Sequence, residues 1–241
     1  MKHPFPKRAL WTGAAALSFG LILTGCGGGG GGGTGPTSAR VSTNSTPVPS
    51  QGTSCSTTYT PNYASSVRLL HWTIFPLRVY FVQDSNLTAA RQALAVQGFN
   101  RWVQDTNGGV TYNVVSSAAA ANVTVKFYQF TGGPGDTLGV TNVKYYDESS
   151  TISSAEINLG VTGDTRNDLI TDSHEFGHAL GILGHSPVNL DLMYFEANDQ
   201  YTGDITTSDL NTLLTAYCGN FNKSSASRTA HQGELKTITI K

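Results

Sequence analysis

The chain has 241 residues, a formal net charge of −1 and a charged fraction of only 13%. That balance leaves no basic patch of the kind that holds a phosphate backbone, which excludes nucleic acid as the expected partner. The stretch from about Asn62 to Cys218 is one domain's worth of sequence, long enough to bury a real core, and no internal repeat interrupts it.

In chain order, Lys2, Lys7 and Arg8 precede a mostly apolar run from Ala9 to Leu23. A positive start, a short apolar middle and small residues before a cut describe an export signal over residues 1–25, and the run is too short for a comfortable membrane span. Leu23-Thr24-Gly25-Cys26 resembles a bacterial lipobox. The resemblance implies removal of the signal and lipidation of Cys26 as the first mature residue; the alternative is an ordinary secretory signal that contains a cysteine. Residues 26–61 hold Gly27 to Gly33 and then mostly Thr, Ser, Pro and Gly, with nothing to form a core. They are expected to be a flexible tether with a reach on the order of 30 Å. The expected location is therefore a bacterial cell envelope, with contact to the membrane through the N-terminal lipid only. Gly27 after Cys26 favours the outer membrane, on either its periplasmic or its surface face. Cys55 and Cys218 are left as an even pair flanking the domain, so a disulfide between them is expected in an oxidising compartment, with two free thiols as the alternative.

Within the domain, Leu77 to Val82 is rich in β-formers and predicts a first strand. Leu87 to Gln104 has apolar residues closer to helical than to alternating spacing and stops at Asn107-Gly108-Gly109, which predicts a long helix packed on a sheet. Val110 to Val115 and Asn122 to Phe127 follow as strands, the second alternating Val123, Val125 and Phe127. Thr131 to Thr141 is a glycine-rich loop, and Ile157 to Leu159 is expected to be the edge strand. Thr165 with Asp168, and Thr206 with Asp209, have the spacing of capping boxes, and Leu210, Leu213, Leu214 and Tyr217 place an apolar stripe on a helix from Thr206 to Tyr217. The tail 219–241 is polar, and its final Thr237-Ile238-Thr239-Ile240 is either an added edge strand or unstructured. The whole describes an α/β domain with helices covering a sheet.

The most informative stretch is His174 to His185, HEFGHALGILGH. In a helix His174 and His178 are one turn apart and leave the same face, so both imidazoles can meet one ion. Glu175 lies slightly off that face, placed to handle a water beside the metal without becoming a ligand. Gly181 falls where helices commonly end in a residue with positive φ, and the turn brings His185 in as a third ligand. Three nitrogen ligands with one open position describe a catalytic zinc site; a structural zinc normally has four protein ligands. Chance yields the full H-E-x-x-H-x-x-G-x-x-H in such a chain on the order of once in a hundred thousand, so incidental histidines on an amphipathic helix are set aside.

His174, Glu175, His178, Gly181 and His185, followed by Ser186 and by Leu192-Met193-Tyr194, resemble the metzincin metallopeptidases and, within them, the matrixins. The resemblance implies a metzincin-like α+β fold: a twisted, mostly parallel sheet with an antiparallel edge strand, a long packing helix, an active-site helix and a closing helix. It makes Met193 the Met-turn residue beneath the zinc and likens Phe75-Pro76-Leu77 to the domain's opening. The matrixin pattern has Pro where Phe195 stands, which alters the wall of the substrate pocket. Thr131 to Thr141 is similar to the matrixin calcium loop, but the positions of two structural-zinc histidines hold Val140 and Asn158, and that of an acidic calcium ligand holds Gly160. One catalytic Zn2+ is therefore expected and no structural zinc. Asp136, Asp147, Glu148 and Asp164 could hold Ca2+, although their positions do not support it and solvated surface charge explains them better. Cys55 blocking the zinc, as in latent matrixins, lacks the family's propeptide motif.

These residues lead to the expectation of a monomeric zinc-dependent endopeptidase that takes protein or peptide substrate in extended form, with His174, His178 and His185 as ligands and Glu175 as the base. Two alternatives stay open: a catalytically silent surface module that kept the fold and uses the groove for binding, and a zinc hydrolase of a non-peptide amide.

Overall fold

The computed structural model describes residues 62–133, 136–196, 203–217 and 233–241. Cys26, Cys55 and Cys218, and with them the expected lipidation and disulfide, lie outside the described residues, as do the signal and tether segments.

The elements, in order, are β1 (Arg68–Leu69), β2 (Leu77–Phe81), α1 (Ala89–Asp105), β3 (Tyr112–Val114), β4 (Val123–Gln129), β5 (Gly139–Tyr146), β6 (Thr151–Val161), α2 (Thr165–Ala179), β7 (Ile182–Leu183), α3 (Thr207–Ala216) and β8 (Leu235–Ile240). A six-stranded sheet has the order β3-β2-β4-β6-β5-β8, and β1 and β7 form a separate antiparallel ribbon. Strands β3, β2, β4 and β6 run parallel, and β5 is antiparallel to both of its neighbours. This is a mixed α/β fold with a mostly parallel sheet.

Period-two patterning builds the sheet. Leu77, Val79 and Phe81 of β2 and Val123, Val125 and Phe127 of β4 turn to the core, while intervening residues are more exposed. Thr88 caps α1 by accepting from the Arg91 amide, and α1 lies against α2 through Phe99 and Phe176, whose stacked rings have centroids 4.2 Å apart. Gly98 permits that approach, since a Cβ there would sit 3.0 Å from the Ser173 amide nitrogen. Phe81 stacks on Phe99 and ties the sheet to the helices. Fully burying each such ring stabilises the fold by roughly 1.5–3 kcal/mol.

Two expectations are corrected. Ile157–Leu159 is not an edge strand: it lies in the interior β6, parallel to β4 and antiparallel to β5, with Ile157 and Leu159 in the core. The short alternation around Ile157 conceals an eleven-residue strand because its polar positions, such as Glu156 and Asn158, lie on the sheet's other face, where Glu156 pairs with Lys126 of β4. The cap of α2 is Asp164 rather than Thr165; its carboxylate accepts from the amides of Arg166 and Asn167. Asp168 instead accepts from the Thr162 amide and hydroxyl, fastening the β6–α2 turn. The capping box of Thr206 and Asp209 on α3 is present as expected.

Candidate metal centre

His174 and His178 project from the last turns of α2, held from both sides. Trp102 of α1 donates its indole N–H to the Ser173 carbonyl at 2.8 Å, and Trp72 donates to the Ala179 carbonyl at 2.8 Å. The helix stops at Leu180, and Gly181 follows with φ +119°. A side chain at 181 would collide with the Leu70 carbonyl, which lies there because the Leu70 amide donates to the Gly181 carbonyl at 2.8 Å. The β1–β7 ribbon, with Leu69 opposite Ile182, pins the chain as it turns toward His185.

The three imidazoles converge. Ring centroids are 4.6 Å apart for His174 and His178, 5.0 Å for His178 and His185, and 5.3 Å for His174 and His185. One ligand atom from each lies within 4.8 Å of the others, so one metal ion could draw on all three. Carbonyls orient two of the rings: His174 Nδ1 is 2.7 Å from the Leu192 oxygen, and His178 Nδ1 is 2.7 Å from the Ile182 oxygen. A carbonyl only accepts, so each Nδ1 carries the proton and each Nε2 presents a lone pair. His178 Nε2 is a buried nitrogen without a hydrogen-bond partner among the described residues. Such an orphaned acceptor costs about 1–3 kcal/mol and fits a site whose missing partner is a metal. Burial holds all three rings below the ordinary histidine pKa, His174 at about 4. At neutral pH the set is uncharged and ready to ligate.

Glu175, between them, points at β5. Its Oε2 accepts from the Thr141 hydroxyl at 2.6 Å, and burial pushes its carboxyl up to about 8 against the opposing effect of that bond. Gly139 makes the room: a Cβ there would sit 2.5 Å from Glu175 Cδ. His174, Glu175 and His185 open onto a cleft of about 450 Å³ whose wall includes Tyr194 and Phe195. Phe195 is 64% exposed, an apolar surface on the cleft wall rather than core.

Met193 is buried under α2. Its sulfur packs so closely on the helix that a Cβ at Gly177 would lie 2.5 Å from it. The loop from His185 to Met193 is closed by the Ser186 amide donating to the Met193 carbonyl at 2.7 Å and by the Ser186 hydroxyl donating to Asp191 at 2.5 Å. From α3, buried Asp209 accepts from the Leu192 amide at 2.7 Å, the Met193 amide at 3.1 Å and the Tyr63 hydroxyl at 2.9 Å. Thr141, Asp191, Asp209, Tyr63 and Gly139 were not singled out in the sequence as site residues. Only Asp209 left a local sign, as a capping residue, and its second task depends on contacts far along the chain.

The candidate calcium ligands do not meet. Asp136 folds its own loop by accepting from Thr131 and Gly133, Asp164 caps α2, and Asp147 accepts from the Glu234 amide. Among the described residues, the group of three metal-capable side chains is the histidine set.

No protein-family model matches the chain, and no curated protein matches its sequence. What the structure defines is an α/β domain carrying a clustered histidine triad able to hold one metal ion.

Proposed function

We propose that the protein is a zinc-dependent endopeptidase of the matrixin branch of the metzincins, exported and held on a bacterial envelope by lipid at Cys26. The observation that carries this reading is the convergence of three neutral imidazoles, with His178 Nε2 unpartnered, beside the Glu175 carboxyl in an open cleft. Further support comes from the register of β5 and β6. Val140 and Asn158, which stand at the two positions where matrixins carry structural-zinc histidines, are cross-strand partners. Gly160 stands where an acidic ligand would be, and a Cβ there would lie 2.8 Å from the Leu138 carbonyl, so close backbone contact has taken that place.

Zinc held by His174, His178 and His185 supplies Lewis acidity toward a peptide carbonyl. The chain's own residues do the rest. Leu192 and Ile182 carbonyls fix the ring orientations, and Thr141 holds one oxygen of Glu175, leaving Oε1 for the proton of the attacking water. Glu175 then passes that proton to the leaving amine nitrogen. Extended substrate is expected to lie along the sheet edge beside the cleft, main chain to main chain.

The test is a quenched-peptide assay on the zinc-loaded protein with and without chelator, beside Glu175→Ala. Chelator-sensitive cleavage that Glu175→Ala abolishes while zinc stays bound is the expected result. A variant that cuts at the parental rate contradicts the role of Glu175, and a zinc-loaded parent that cuts no peptide leaves the binding module or another amide as the function. Incorporation of labelled fatty acid into the parent but not into Cys26→Ser tests the anchor.

A further inference from the structure

β8 lies on the outer side of β5, the strand whose Thr141 hydroxyl holds the Glu175 carboxyl. The pairing is antiparallel, with Leu235 opposite Tyr146 and Ile240 opposite Thr141, so β8 runs toward the metal centre. The next residue, Lys241, lines the same cleft as His174, Glu175 and His185.

A segment added to a sheet edge is held by main-chain bonds, with selectivity from alternate side chains. β8 has that character. Ile240 is buried and Ile238 packs against the core, whereas Leu235, Lys236, Thr237 and Thr239 are exposed. Among the described residues its one sheet neighbour is β5, and the polar links beyond the main-chain pairing include Thr239 to Asn142 at 2.6 Å and Glu234 and Lys236 to Asp147. A peptide reaching the histidines along this wall needs the same main-chain groups of β5, and needs them where β8 already sits.

We propose that β8 is an autoinhibitory strand: residues 235–240 occupy the β5 rail that leads extended peptide into the metal cleft, and cleavage of a protein requires them to leave it. The cleavage part rests on the metallopeptidase reading above; the occupancy part does not. The seats of Ile238 and Ile240 also define the ligand, an extended peptide with β-branched apolar residues at alternate positions.

The test locks and loosens the strand in the full-length, zinc-supplied protein. Asn142 and Thr239 are cross-strand partners in side-chain contact, so Asn142→Cys with Thr239→Cys places two thiols within disulfide reach. Ile238→Asp with Ile240→Asp removes both seated side chains. The oxidised lock is expected to cleave a quenched peptide at least about tenfold more slowly than the same protein after reduction, each rate being taken relative to the parent under the same redox condition, and the loosened variant to exceed the parent. Equal rates for the locked and reduced forms overturn the proposal. If no form cleaves anything, the metallopeptidase reading fails on its own. A labelled Leu-Lys-Thr-Ile-Thr-Ile-Lys peptide then decides the occupancy. Binding to the loosened variant but not to the oxidised lock upholds it; equal binding to both, or none to either, overturns it.

Discussion

Asp209 offers the sharpest test of how the fold builds the metal centre, because it lies on α3 and touches no histidine. Its carboxylate accepts from the amides of Leu192, Met193 and Thr206 and from the hydroxyls of Tyr63 and Thr206. In Asp209→Ala the hydroxyls can rotate toward other partners, but the Leu192 and Met193 amides are fixed in the turn and buried. Two stranded donors at about 1–3 kcal/mol each amount to roughly 2–6 kcal/mol. Burial raises the pKa of Asp209, so the parent already bears some cost for its charge, and the lower part of that range, about 3 kcal/mol, is expected. For a domain of this size that is a fall of roughly 6–12 °C in melting temperature. The Leu192 carbonyl, on the same turn, orients His174, so zinc affinity should drop about 10–100-fold. Calorimetry of the metal-free protein and chelator competition with the loaded protein measure the two effects. A variant that melts like the parent and binds zinc like the parent would refute the inference that α3 supports the turn beneath the metal.

Thr141→Val removes the bond that lowers the Glu175 pKa, so the acid limb of the kcat/KM profile should move to higher pH by roughly one unit; an unmoved limb contradicts the contact. Zinc retention should follow the depressed histidine pKa values: protons compete more effectively as pH falls, and metal content should hold below the ordinary histidine value and collapse only near about 4, where His174 protonates. Loss complete by pH about 6, near the reference value, would contradict the buried, neutral set. Between about 6.5 and 4 the buried rings take up protons in the metal-free unfolded chain before they do in the folded one, so their contribution to apo stability should fall as pH drops through that window, while the raised carboxyls of Glu175 and Asp209 contribute in the opposite sense. Gly177→Ala improves helix propensity by about 1 kcal/mol, yet its Cβ meets Met193 Sδ at 2.5 Å. Overpacking costs about 1–3 kcal/mol, so the melting temperature should fall, and a rise would show that the Met193 packing is loose.

The ligand triad was legible because its information is local: one helical turn, one glycine with positive φ and one residue after a bend carry it. The strands at 77 and 123 and the helix at 89 were legible for the same reason, since each buries one face of a regular period. Other features depend on distant partners. The β5–β6 hairpin hides in sequence because its outward residues interrupt the apolar pattern. The cap of α2 shifted by one residue because Asp168 was claimed by Thr162. On α3 the expected stripe holds at Leu213 and Tyr217, but Ser208, Asp209, Asn211 and Thr212 are also buried, a polar face that makes sense only once the Met193 turn lies against it. The tail's two alternatives are resolved in favour of a strand.

X-ray absorption at the zinc edge of the full-length protein tests the central claim most directly. The account predicts one zinc per chain with three imidazole nitrogens at about 2.0–2.1 Å and a light, exchangeable fourth ligand, and the loss of one imidazole in His185→Ala. A sulfur ligand at about 2.3 Å, or a spectrum unchanged in His185→Ala, would contradict it.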